Sequence, residues 1–228
     1  MLSVNRRTYF FTREERIVVE NTKEFIIPML QSLIETYTTG KPCMFKIGTS
    51  DSVFYFLWGY DVTFLITLER TGAKVQFFNK DIYEFTEEAL LQMDTILNSF
   101  SNDLNTQKKI KVLYDELAIA MSNNVEIFSC YDVRRKTIDE LLYAYENKKD
   151  YAIIYDRLDE ITESYRVITE NLTFLLTLNH LGVSIQIIDV CMDKFTELLY
   201  EELKDSKNEF IKKYIVKLKK YIKKEHQL

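Results

Sequence analysis

Compared with itself at an offset of 110, the chain aligns residues 62–87, VTFLITLERTGAKVQFFNKDIYEFTE, with residues 172–197, LTFLLTLNHLGVSIQIIDVCMDKFTE, and ten of the 26 pairs are identical. Chance gives roughly one or two such identities, so the segment reads as an internal repeat. The identical pairs are Thr63/Thr173, Phe64/Phe174, Leu65/Leu175, Thr67/Thr177, Leu68/Leu178, Gly72/Gly182, Gln76/Gln186, Phe85/Phe195, Thr86/Thr196 and Glu87/Glu197. Gly182 is the only glycine after residue 110 and falls opposite Gly72, which marks a backbone position that wants glycine's freedom. A chain of 228 residues is then close to two copies of one unit, residues 1–110 and residues 111–228, the second ending in a basic helix. With five glycines and two prolines in all, no linker composition separates the copies, and they are expected to pack as one rigid body.

Each copy helps to read the other. Val62 to Leu68 alternates, with Val62, Phe64, Ile66 and Leu68 on one side and Thr63, Leu65 and Thr67 on the other, the period of a strand. A four-residue turn ending in Gly72 or Gly182 leads to a second strand through Val75 and Phe77. An even-length turn puts Val75 and Phe77 on the Phe64/Ile66 face and leaves Thr63, Thr67, Lys74 and Gln76 on a mixed face. Upstream, Tyr55 to Trp58 and Tyr165 to Ile168 read as paired strands; downstream, Phe85 to about Phe100 and Phe195 to about Lys204 have helical spacing. Residues 16–20 and 126–130 read as strands, residues 22–36 and 137–146 as helices, and residues 44–47 and 151–155 as short strands. An alternative makes residues 161–181 one helix ended by Gly182.

The expected fold is therefore α+β, a β-α-β-β-β-β-α unit used twice to form a curved antiparallel sheet with helices on one face and a pseudo-twofold axis. Two such units in tandem resemble the TATA-binding-protein-like architecture. The resemblance is one of topology and brings no sequence motif of that family. A shared fold does not transfer DNA binding, and both halves are acidic: residues 1–110 carry 12 basic and 14 acidic groups, residues 111–228 carry 18 and 21.

A net charge of -5 is the wrong sign for a general nucleic-acid coat. Cys43, Cys130 and Cys191 are odd in number, widely spaced and without C-x-x-C, which points to neither a disulfide framework nor a zinc site and fits a reducing cytoplasm. The densest apolar run, Val53 to Trp58, is far short of the ~20 residues that span a bilayer, and the N-terminal residues lack the apolar stretch of a signal peptide. Many Phe, Tyr, Ile, Asn and Lys residues suggest an AT-rich genome, such as that of a phage or mobile element.

Four features are candidates for function. The mixed sheet face presents Thr63, Leu65, Thr67 and Gln76 in one copy and Thr173, Leu175, Thr177 and Gln186 in the other. These read either as two equivalent surfaces gripping a partner or as an ordinary solvated face. The C-terminal helix carries Lys212, Lys213, Lys217, Lys219, Lys220, Lys223 and Lys224 opposite an Ile211, Ile215, Leu218, Ile222 stripe broadened by Phe210, Tyr214 and Tyr221. Its lysines are either a solvated face or a trap for an acidic partner. Residues 203–228 hold nine Lys and three acids, +6 in all, which leaves -11 for the remainder. Asp156, Asp159, Glu160 and Glu163 fit one face of a helix, where oxygen ligands for a metal or a plain solvated face are the two readings. His180 and His226 have no nearby nucleophile and Arg70 replaces His180 in the other copy, so neither is expected to be catalytic.

No phosphate-binding, dinucleotide, zinc-protease or nucleophile-elbow motif occurs in the sequence. The expectation is a non-enzymatic protein-interaction module, an adaptor or inhibitor in the cytoplasm, without cofactor or metal and with another protein as partner. The alternatives are nucleic-acid binding by the sheet or the lysine-rich helix, and a small-molecule receptor or carboxylate-based enzyme with a cleft between the halves.

Overall fold

The computed structural model describes residues 8–10, 13–14, 22–48, 52–58, 63–69, 72–78, 81–123, 133–159 and 162–222. Contacts divide the chain into a first unit, Phe11–Ser129, and a second, Met1–Phe10 with Cys130–Leu228. The helix that straddles residue 110 belongs whole to the first.

In the first unit, helix α1 (Lys23–Thr39) precedes a meander; β1 (Thr8–Phe10) belongs to the second unit, and β2 (Arg13–Glu14) opens the first. The meander runs through β3 (Met44–Gly48), β4 (Ser52–Trp58), β5 (Thr63–Glu69) and β6 (Gly72–Phe78). Helices α2 (Ile82–Leu91), α3 (Met93–Ser99) and α4 (Leu104–Ser122) follow. The second unit has α5 (Val133–Glu146), then β7 (Tyr151–Arg157), β8 (Glu163–Thr169), β9 (Thr173–Asn179) and β10 (Gly182–Ile188), then α6 (Met192–Leu203) and α7 (Glu209–Ile222). The fold is α+β, as the sequence implied. Glu163–Thr169 and Thr173–Asn179 form a strand hairpin, paired antiparallel from Glu163 opposite Leu178 to Ile168 opposite Thr173; the alternative of one helix over 161–181 is thereby removed. The strands read over 16–20 and 126–130 lie outside the described residues.

The strands form two five-stranded sheets, β2-β6-β5-β4-β3 and β1-β10-β9-β8-β7, where one curved sheet was expected. The β10 edge is taken by β1, antiparallel, and the β6 edge by β2, which runs parallel to it, so each ladder is completed by a strand from the N-terminal segment. Within the meanders the pairings correspond: Leu65 faces Gln76 as Leu175 faces Gln186, and Glu69 faces Gly72 as Asn179 faces Gly182. Phe64 faces Phe77 and Ile66 faces Val75, as an even-length turn requires. Gly182 has φ 126, a conformation that L side chains rarely adopt.

Helices cover the mixed face of each sheet. In the first unit Phe25 of α1 meets the Phe45 and Phe56 rings edge-on, and Phe85 of α2 lies 4.4 Å from the Trp58 ring. Phe56 and Trp58 stand directly opposite Leu65 and Thr63, so those two share the helix-covered side. In the second unit Ala152, Ile154 and Ile168 join Ile138, Leu141 and Leu142 of α5, Met192 and Leu203 of α6, and Ile211, Ile215 and Leu218 of α7 in one core cluster. Ile168 stands opposite Thr173, which fixes the side. The opposite faces are closed as well: Phe64 and Ile66 in one sheet, Val167, Phe174, Leu176 and Ile185 in the other, are fully buried.

One polar device recurs. In the first unit the Tyr37 hydroxyl, from α1, donates to Thr86 Oγ1 of α2 at 3.2 Å, while Thr86 donates to Ile82 O at 2.7 Å. In the second, the Tyr145 hydroxyl, from α5, lies 3.0 Å from Thr196 Oγ1 of α6, and Thr196 donates to Met192 O at 2.8 Å. Both threonines are fully buried, so each Thr→Val exchange keeps the shape and removes one of two hydrogen bonds of a tyrosine hydroxyl, Tyr37 keeping Ile82 O at 3.3 Å and Tyr145 keeping Asp193 Oδ1 at 2.8 Å. Thr86→Val and Thr196→Val are each expected to cost about 1–2 kcal/mol, read as a fall in the denaturation midpoint, with Ser at either site restoring most of it.

Candidate functional site

The eight sheet-face positions lie on the helix-covered sides. Thr63, Thr67 and Thr173 are buried, while Leu65, Gln76, Leu175, Thr177 and Gln186 are half-buried. Threonine tolerates this where its hydroxyl finds an acceptor, and Thr173 Oγ1 donates to Val190 O, between β10 and α6, at 2.8 Å. Arg166, directly opposite Leu175, sits over the Phe195 ring of α6 at 5.9 Å. These residues join sheet to helix.

The last helix of each unit carries exposed side chains in a regular array; single exposed apolar residues also occur elsewhere, among them Leu91 on α2 and Leu198 on α6. Helix α4 starts at Asp103, whose carboxylate accepts from Thr106 N at 3.1 Å and from the Thr106 hydroxyl at 2.7 Å; chiefly that hydroxyl holds the carboxyl below its ordinary range. Ile110, Leu113, Tyr114, Leu117 and Ala120 recur at helical spacing and are buried, and α4 packs on α1. The outward face carries Leu104, Val112 and Ile119, 62%, 55% and 64% exposed. At 100° per residue these three fall within an arc of about 80°. Sequence reading overlooked α4, although the i, i+3, i+4, i+7 spacing from Ile110 to Leu117 marked it.

Tyr114 is buried with no hydrogen-bond partner for its hydroxyl among the described residues, and burial alone pushes its pKa up to about 12. Tyr37 is likewise raised to about 12, chiefly by burial. Both groups are neutral when folded, and on unfolding they return to a pKa near 10. The unfolded chain therefore releases protons first as pH rises. The first unit is expected to keep its stability below pH ~10 and to lose it progressively toward pH ~12, in alkaline denaturation followed by circular dichroism. Tyr114→Phe should flatten that decline without loss of stability at neutral pH, since no hydrogen bond is given up.

Helix α7 is the counterpart in the second unit, packed on α5 and α6. Ile211, Ile215 and Leu218 are buried, Tyr221 stacks on Tyr145 at 4.8 Å, and Lys212, Lys213, Lys217, Lys219 and Lys220 are exposed. Lys223 and Lys224 lie outside the described residues. The apolar stripe read from the sequence is thus the docking face, and the lysines are its solvent side.

The acidic run does not share a helical face. Asp156 is on β7 and Glu163 on β8, and because Asp156 faces Ser164 while Glu163 faces Arg157, the two carboxylates point to opposite sides of the sheet. Asp159 is exposed in the turn, and Glu160 lies outside the described residues. Glu163 is buried and accepts from the Tyr165 hydroxyl at 2.7 Å and the Tyr155 hydroxyl at 3.2 Å, with Lys136 over the Tyr155 ring and donating to Tyr155 O at 2.8 Å. Among the described residues no group of three His, Cys, Asp or Glu side chains is placed to hold a metal ion, and no helix is long and apolar enough to cross a membrane. His180 is exposed in the β9–β10 turn; His226 and Cys130 lie outside the described residues. Cys43 is buried and Cys191 half-buried.

Comparison of the chain with models of known families, with curated proteins and with solved structures returns no match.

Proposed function

We propose that this chain is a non-enzymatic protein-interaction module, one unit duplicated in tandem, whose outer helices α4 and α7 carry the partner-binding surfaces. The observation that carries this reading is the row Leu104, Val112, Ile119 on α4, left to solvent by a helix whose opposite face is closed on α1. The three stand at every second turn, with the exposed Lys108 and Asp115 between them, and apolar side chains ranked along one strip of a helix are a pattern by which helices dock onto protein partners. The duplication is supported by the ten identities, by the matching pairings of Gln76 and Gln186, and by the Tyr37–Thr86 and Tyr145–Thr196 contacts. In this reading the sheets and inner helices are a common scaffold, and the outer helices diverged, one apolar and one basic. Affinity capture from the source cell with the wild-type chain and with the Val112→Glu, Ile119→Glu double variant tests it. A protein retained by the wild type and lost by the equally stable variant is expected; equal retention by both would remove α4 from the interface.

A further inference from the structure

The outward side of α7 has a definite layout. At 100° per residue, Lys212 and Lys219 form one rail and Lys213, Lys217 and Lys220 another, with Val216 between them and 59% exposed. Lys212 is paired with Glu209 at 2.7 Å. Among the described residues the other four lysines have no carboxylate within ion-pair distance. Lys217 and Lys213 lie over the Tyr214 ring at 5.1 and 5.6 Å, and Lys219 over the Tyr200 ring at 5.5 Å, contacts that steady an ammonium group without neutralising it. The helix begins where Asn208 Oδ1 accepts from Ile211 N at 3.4 Å, and it is held down by three buried aliphatic side chains, so the lysines stand on an anchored rod rather than a loose tail.

We infer that this ridge docks an acidic, amphipathic protein segment, one that presents an apolar side chain to Val216 and carboxylates to the lysine rails on either side. The inference rests on the reading of the chain as a protein-binding module and names the chemistry of one partner. Three features favour such a segment. The rail Lys213, Lys217, Lys220 repeats about once per turn, ~5.4 Å, which is the spacing of carboxylates three and four apart on a facing helix. Val216 gives an apolar side chain a contact that a phosphate backbone cannot use. The ridge, Lys212 to Lys220, is about 12 Å long on a helix of 14 residues and belongs to a chain whose remaining charge is -11, so a polyanion running past it meets repulsion whereas a short acidic segment does not. An anionic membrane is disfavoured because the apolar side of α7 is already consumed by the core.

Fluorescence anisotropy on the full chain tests this with three labelled probes: a synthetic glutamate-rich peptide with leucine at every third or fourth position, the same peptide with serine for leucine, and an oligo-dT of equal charge. The leucine-containing peptide is expected to bind tightest and to weaken as salt is raised. Lys213→Gln, Lys217→Gln, Lys220→Gln together should weaken it by roughly tenfold or more, as removal of facing charges does. Val216→Ser should weaken the leucine peptide several-fold and leave the serine peptide unchanged. Tighter binding of oligo-dT, equal affinity for the two peptides, indifference to the lysine changes, or no binding of any probe at low salt would overturn the inference. The Val112→Glu, Ile119→Glu variant should bind the peptide like the wild type, so failure of the α4 surface and failure of the α7 ridge are separately visible.

Discussion

Replacing Trp58 with alanine is expected to destabilise the first unit by about 3–5 kcal/mol, the cost of emptying a fully buried aromatic site. Trp58 has no solvent exposure, its ring lies 4.4 Å from Phe85 and 5.7 Å from Phe45, and its Nε1 donates to Ser32 Oγ at 3.0 Å. It therefore ties β4 to α1 and α2 at once. Trp58→Phe keeps most of the ring packing but leaves Ser32 without that donor, and about 1–2 kcal/mol is expected. Trp58 is the only tryptophan, so the wild-type fluorescence change on urea addition reports the first unit alone. Urea unfolding followed by circular dichroism compares the variants, and an alanine variant within about 1 kcal/mol of wild type would contradict the packing described.

Leu218→Asp is expected to have an effect of the same order in the second unit. Leu218 is fully buried in the cluster that joins α7 to α5 and α6, and a carboxylate there has no cation to pair with in an aliphatic core. Burying or expelling it should cost about 4 kcal/mol or more and release α7 from the layer. Limited proteolysis should then cut within residues 204–222 at protease levels that leave the wild type whole. Lys217→Asp, next to it in sequence but exposed, should stay within about 0.5 kcal/mol of wild type. Equal sensitivity at both positions would mean that α7 is not docked by this stripe.

The hairpins were legible because their information is local. Alternation from Val62 to Leu68 and an even-length turn before Gly72 were enough to fix which side chains share a face, and the ladders follow them. What surrounds each face was not local. Thr63, Thr67 and Thr173 look like residues of a solvated sheet, and only the helices that arrive from elsewhere, with acceptors such as Val190 O, turn them into interior ones. Thr86 and Thr196 were legible as identical but not as partners, since each is completed by a tyrosine about 50 residues upstream. The acidic residues from Asp156 to Glu163 carry helical spacing by accident, and the β7–β8 pairing overrides it. The β10 and β6 edges are taken by β1 and β2, segments of three and two residues, too short to show a period in the sequence. Helix α4 was missed for another reason: its lysines and acids dilute the apolar spacing.

In the proposed reading, partners engage helices α4 and α7 rather than the hairpin turns. Site-specific photo-crosslinking tests it most directly, with a photoreactive residue placed either at Val112 of α4 or at Leu181, an isolated apolar residue 84% exposed in the β9–β10 turn. Irradiation in the source cell is expected to give a discrete crosslinked species from position 112 and none from position 181. A species from position 181, with none from position 112, would contradict the account.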